Sequence, residues 1–310
     1  MSLNRTGKLI VSTCGAALVV AAVGVVVLTG SSKRAPGGNG KQPQEVVPAK
    51  IGPGSPITLP AVETLPSPQG PIGPPVLEKG ETFFGKGESL YHQGEFTEAT
   101  RYLKEEVGQH PDRFYPTYLL GIAQWKDGSL DDAIATLQES ARLDTGSVKA
   151  RINLGRVLGD AGRHEESLEA AGQALAIDPG SSQAQNVRGR ALLNLGRKDE
   201  AIDSFRTAVE KDPANAFAQN NLGYALIRTE RFAEAVPFLE EAVRLKPGVG
   251  YFQNNLGMAY ERTGDTTRAK SAYQAAIIAG GSPAAESNLA RIGGTTENEN
   301  GLESVGTSSN

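Results

Sequence analysis

Apolar and polar positions divide the chain into three regimes. Residues 9–29 run apolar without a charge, residues 30–79 show no helical apolar period, and residues 80–283 repeat one apolar pattern every 34 positions. The segment 148–181 represents the third regime. Ile152, Leu154, Val157 and Leu158 keep a helical spacing, Ala161-Gly162-Arg163 interrupts it, Leu168, Ala171, Leu175 and Ile177 resume it, and Asp178-Pro179-Gly180 stops it. Apolar residues three and four apart share one helix face, so each cycle predicts helix, turn, helix, turn.

The register is marked by small residues. Gly87, Gly121, Gly155, Gly189, Gly223 and Gly257 form one column, and Ala99, Ala133, Ser167, Ala201, Ala235 and Ala269 form a second, twelve residues later. Glycine in a helix interior costs about 1 kcal/mol relative to alanine. Six in register therefore predict close approach of the two helices, with the Ala/Ser column as the matching small surface and larger leucines packing on the next repeat. Gly94, Gly128, Gly162, Gly196 and Gly264 mark the turn inside each cycle, with Glu230 as the exception. Pro111, Pro179, Pro213 and Pro247 end second helices, because proline cannot donate the helical bond. A period of this length predicts a solenoid of stacked units, in six copies: 80–113, 114–147, 148–181, 182–215, 216–249 and 250–283.

The columns resemble the tetratricopeptide repeat, as in Asn221-Leu222-Gly223…Leu226…Ala235…Leu239…Ala242…Pro247 and Asn255-Leu256-Gly257…Tyr260…Ala269…Tyr273…Ala276. The resemblance implies an all-α, right-handed superhelical solenoid of about six repeats, whose first helices line a concave groove. Groove positions then lie three residues before, and one and five after, each glycine, and Tyr115, Tyr118 and Trp125 form an aromatic cluster near the front. On that register the candidate contacts are Tyr118, Trp125, Arg156, Asn186, Arg190, Asn220, Tyr224, Arg228, Asn254 and Arg262. Asparagine can donate and accept along an extended main chain, and arginine suits carboxylates. The expected ligand is an extended protein segment, acidic or C-terminal. The carboxylate clamp of chaperone-binding members is not completed in any frame of these positions.

The flanking regions predict a different organisation. Residues 1–8 form a polar tail, and 9–29 have the length of a transmembrane helix or signal-anchor. Leu28-Thr29-Gly30-Ser31-Ser32 offers only a weak cleavage site. Basic residues nearly balance across the segment. The short tail resembles a bacterial signal-anchor, which places the repeats on the periplasmic, extracytoplasmic side of an inner membrane. Residues 30–79 are rich in Pro and Gly and read as a disordered, extended spacer. Residues 284–292 suit a capping helix, and 293–310 read as a disordered tail. Cys14, inside the apolar run, is the only cysteine, so no intrachain disulfide can form.

Composition narrows the function. A net charge of −4, 6 % aromatic residues and no basic run longer than two argue against a nucleic-acid surface. His92, His110 and His164, the only histidines, have no metal-ligand spacing and read as solvated. No nucleophile or phosphate-loop motif is present. The sequence therefore predicts no enzyme, cofactor or small-molecule substrate. It predicts a membrane-anchored scaffold or adaptor that recruits or assembles a protein complex. The alternatives are an accessory subunit of a membrane enzyme or envelope-assembly machine, and a secreted or periplasmic adaptor released by cleavage.

Overall fold

The computed structural model describes residues 75–280 and 283–294. The membrane helix expected at 9–29, the spacer up to residue 74 and the tail beyond residue 294 lie outside the described residues. No helix among the described residues is long and apolar enough to cross a membrane.

Six helix pairs and a thirteenth helix account for nearly all of the described chain. The first helices are α1 (Phe83–Gln93), α3 (Phe114–Lys126), α5 (Val148–Asp160), α7 (Ser182–Asn194), α9 (Ala216–Arg228) and α11 (Gly250–Arg262). They alternate with the second helices α2 (Phe96–Gln109), α4 (Leu130–Leu143), α6 (His164–Ile177), α8 (Lys198–Lys211), α10 (Phe232–Leu245) and α12 (Thr266–Ile278), and α13 (Pro283–Gly294) follows. Several starts are fixed by side-chain caps: Ser147, Ser181 and Asn215 accept from the amides of Ala150, Ala184 and Ala218. Such a cap satisfies one of the amides that a helix leaves free at its start. After the second helices, the carboxylates of Asp144, Asp178 and Asp212 accept from Gly146, Gly180 and Ala214 two residues on, closing the turn into the next repeat.

The turn inside each pair requires a left-handed residue. Gly94, Gly128, Gly162, Gly196 and Gly264 have φ of 85°, 87°, 76°, 78° and 88°, and Glu230 takes the same place at φ 61°, the one non-glycine with positive φ among the described residues. Left-handed backbone costs an L-residue roughly 1–2 kcal/mol, part of which glycine returns as unfolded-state entropy. Glu230→Gly is therefore expected to stabilise the protein by about 1 kcal/mol, read as a higher urea midpoint. An unchanged midpoint would mean that the exposed Glu230 side chain supplies a compensating contact.

The helical glycines are notches for large side chains of their own repeat. A Cβ at Gly87 or Gly121 would lie 2.7 Å from the Cγ of Leu103 or Leu137. At Gly189, Gly223 and Gly257 it would meet Phe205, Leu239 and Tyr273 at 2.4–2.6 Å. These contacts correct the sequence expectation: the large residue sixteen positions on enters the notch, while the buried Ala/Ser column flanks it. The third repeat differs, because Ala171 holds that position. Val187 of the next repeat fills the notch instead, 2.9 Å from a Cβ on Gly155, and Ser167 Oγ donates to Gly155 O at 2.6 Å. The core at this joint consists of Ile152, Ala171, Ala174, Ala184 and Val187, whereas the later repeats share one core from Leu192 through Phe205, Leu239 and Tyr273 to Ile292.

The backbones of successive first helices come close along the whole stack, whereas second helices meet only through long side chains such as Lys104 with Asp132 and Arg206 with Glu234. The stack therefore bends toward the first helices, which line its inner side. At the end, α13 covers the last repeat: Arg291 pairs with Glu261, Nη2 to Oε2 at 2.9 Å, and Ala285 and Ile292 are buried.

Candidate functional site

Asparagines knit the inner face together. The Nδ2 of Asn221 donates to Asn186 Oδ1 at 2.9 Å, Asn255 to Asn220 at 2.9 Å and Asn288 to Asn254 at 3.1 Å, each bond crossing from one repeat to the preceding one. Asn153 makes the equivalent bond to Tyr118 Oη at 2.6 Å. Between α5 and α7 the two positions are Ile152 and Val187, and apolar contact replaces the hydrogen bond. Asn186, Asn220 and Asn254 are thus buried, with their amide oxygens occupied by the neighbouring repeat. Burying such amides requires partners, and the ladder supplies them.

The front of the inner face is aromatic. Tyr118 stacks with Phe114 and Tyr115 at centroid distances of 5.9 and 6.5 Å, and burial pushes its phenol up from the ordinary value. Trp125 Nε1 donates to Asp160 Oδ2 at 3.1 Å, and Arg190 Nη2 donates to the other oxygen of Asp160 at 3.1 Å. Asp160 therefore ties the aromatic front to the basic centre. Tyr251 completes the inner face from α11; burial pushes its phenol up to about 12, with the charge of Arg190 acting against the shift.

Arg156 stands apart from the surface arginines. Arg142, Arg163, Arg197, Arg231 and Arg244 each grip a glutamate three residues away through two nitrogens. Such exposed pairs contribute little to stability. Arg156 instead donates to two neutral oxygens, Asn153 Oδ1 at 3.0 Å and Gln183 Oε1 at 3.4 Å. Burial, then the nearby Arg190 cation, hold its pKa below the ordinary value.

The sequence-derived contacts therefore separate into groups. Tyr118 and Arg156 are joined through Asn153, Trp125 and Arg190 through Asp160, and the two chains meet where Arg156 and Arg190 line one recess. Tyr224 and Arg228 form a neighbouring pair, with Arg228 Nη1 donating to Tyr224 Oη at 3.3 Å. Arg262 is exposed and lies 4.5 Å from the ring centre of Phe232 on a second helix, outside both groups. Asp160, five residues after Gly155, joins the face as the register expects, and Gln183 and Tyr251 join it without having been singled out. Tyr251 shares a 34-residue column with Tyr115 and Phe217, which is the signal that marks it. His164 also departs from expectation: it is half-buried, with Nδ1 enclosed and unbonded.

Among the described residues, no three His, Cys, Asp or Glu side chains converge to hold a metal ion. Family models described as tetratricopeptide repeat match residues 84–148, 152–216 and 189–250, and a further one matches 251–277. No curated protein matches the chain. Among solved structures, the Cut9–Hcn1 hetero-tetramer of the APC/C superposes with a TM-score of 0.61 at 17 % identity, over 68 % of this chain and 42 % of that one. PilF of Pseudomonas aeruginosa gives a TM-score of 0.53 at 20 % identity, over 59 % of this chain and 84 % of that one. MamA of Desulfovibrio magneticus RS-1 gives 0.48 at 22 % identity, over 53 % and 93 %. The matched segments span more than half of the 310 residues, so the chain belongs to the tetratricopeptide-repeat family.

Proposed function

We propose that the inner face of the repeats is a groove for an extended, acidic segment of another protein, and that residues 9–29 anchor this adaptor to a membrane. In that reading residues 30–79 are the spacer that carries the repeats away from the bilayer, on the periplasmic side of a bacterial inner membrane. The carrying observation is the contrast between arginines: those of the outer helices are neutralised by nearby glutamates, while Arg156 and Arg228 on first helices bond to neutral groups. A cationic track beside an aromatic front fits acidic residues interspersed with apolar anchors. Tyr118, Trp125, Arg156, Arg190, Tyr224 and Arg228 would touch the segment. Asn186, Asn220 and Asn254 would hold the helices that present it, and Arg262 would mark the far edge.

The test is crosslinking and pull-down from intact membranes with the wild type and an Arg156→Ala/Arg190→Ala/Arg228→Ala variant. Selective loss of partners at unchanged helical content is the expected result. Recovery of the same partners by both forms would move the working surface to the outer helices, the spacer or the anchor.

A further inference from the structure

The third repeat differs from its neighbours at two inward positions. Ala171 stands where the other repeats place Leu103, Leu137, Phe205, Leu239 and Tyr273, and Gly159 stands where they place Tyr91, Trp125, Leu193, Ile227 and Glu261. Val187 takes up the space at Ala171, and the absent side chain at Gly159 leaves a recess lined by Arg156, Gly159, Ser167, Arg190, Ala191 and Asn194 above Val187. It holds ≈ 200 Å³ of unfilled space counting its open mouth, with room at the bottom for one water-sized group (≈ 10 Å³). The recess cannot take a ligand whole, but it can take the tip of one.

We propose that this recess seats one side-chain carboxylate of an acidic peptide, held between Arg156 and Arg190; this rests on the groove reading above and names the group that the groove recognises. The hydrogen-bond partners of Arg156 are neutral, and the nearby Asp160 carboxylate, which also favours its charge, is already paired with Arg190, so two cations share one acid. Asp160 already accepts from Trp125 and Arg190, with the Arg190 and Asp160 side chains only 22 % and 17 % exposed. A half-buried guanidinium beside a second cation is incompletely compensated, and an incoming carboxylate would accept from both forks. A glycine in the last turn of α5, beside these two arginines, keeps that space open. A Cβ on Gly159 would meet only Ser167 Oγ at 3.5 Å, ordinary contact, so helix packing does not demand glycine at this position.

Trp125 is the only tryptophan and donates to the carboxylate that holds Arg190, so its fluorescence reports on the recess. The experiment titrates the full chain in detergent with Ac-Gly-Glu-Gly-NH2, with Ac-Gly-Gln-Gly-NH2 and with inorganic phosphate. The expected result is a saturable emission change with the glutamate peptide, with Kd of about 1–10 mM, and at least tenfold weaker response to the glutamine peptide. Gly159→Leu, which fills the recess, and Arg156→Met, which removes the cation, should each abolish it. Two such variants are used because either alone could alter the fold, which circular dichroism monitors. Equal response to both peptides, stronger saturation by phosphate, or retention of binding in folded Gly159→Leu or Arg156→Met overturns the proposal. Partners lost from the triple-arginine variant without a saturable glutamate response would sink the seat and leave the groove standing. A saturable response with partners unaffected would do the reverse.

Discussion

Replacing Phe205 by alanine is expected to destabilise the repeat array by about 3–5 kcal/mol. Phe205 has no exposed surface, and its ring fills the notch at Gly189, where a Cβ would lie 2.5 Å from Cε1. Truncation removes the apolar transfer energy of the ring and leaves a hollow between α7 and α8 that is closed by backbone on one side. The loss propagates, because each repeat is stable only together with its neighbours. Urea unfolding followed by circular dichroism checks the total. Hydrogen exchange resolved by helix checks where it falls, since an array of repeats can unfold in parts. A loss below about 1 kcal/mol would mean that α7 and α8 close the gap themselves. The third repeat shows what that requires: there the notch residue is Ala171, and Val187 from the next repeat occupies the space.

Gly189→Leu attacks the same contact from the other side. The new Cβ and everything beyond it would occupy the position of the Phe205 ring, so either α7 and α8 separate or the ring leaves its rotamer. Overpacking of this kind costs about 1–3 kcal/mol, and the absence of slack on a fully buried ring places this site at the upper end. Equal melting temperatures for Gly189→Leu and wild type would contradict the notch. The pair should also be coupled. With Phe205→Ala present, a leucine at 189 would enter the hollow instead of clashing, so the double variant should lose about 0.5–3 kcal/mol less than the sum of the two single losses. Additive losses would show that the two residues do not share one space.

Fold class and register are legible in the sequence because they rest on local or strictly periodic constraints. A 34-residue recurrence of apolar positions, with glycine or proline at every turn but the one at Glu230, leaves helix, turn, helix, turn as the arrangement that buries every apolar face. Even the exception could be read: Glu230 breaks the glycine column, and the structure shows it accepting the left-handed conformation that its place requires. The helical glycine column likewise announced close packing.

What entered each notch was not legible, because that depends on which side chain faces it across two helices. A small column twelve residues on and a large column sixteen on are equally regular in sequence. Only the crossing of the helices puts Leu103, Leu137, Phe205, Leu239 and Tyr273 into the gaps. The asparagines show the same limit. The asparagines three before each glycine look like free polar readers, yet stacking brings Asn221 to Asn186 and Asn255 to Asn220, and turns them into rungs between repeats. Arg156 and Arg142 are likewise both arginines on helices; one finds only amides and the other a glutamate three residues away. The sequence by itself determined the repeat, its turns and its helices, because backbone conformation and periodic burial are set by residues near in the chain. The tertiary structure alone decided which polar groups are occupied, which two cations share one acid and where the third repeat leaves a recess, because those depend on partners roughly one repeat away that come within bonding distance only when the helices stack.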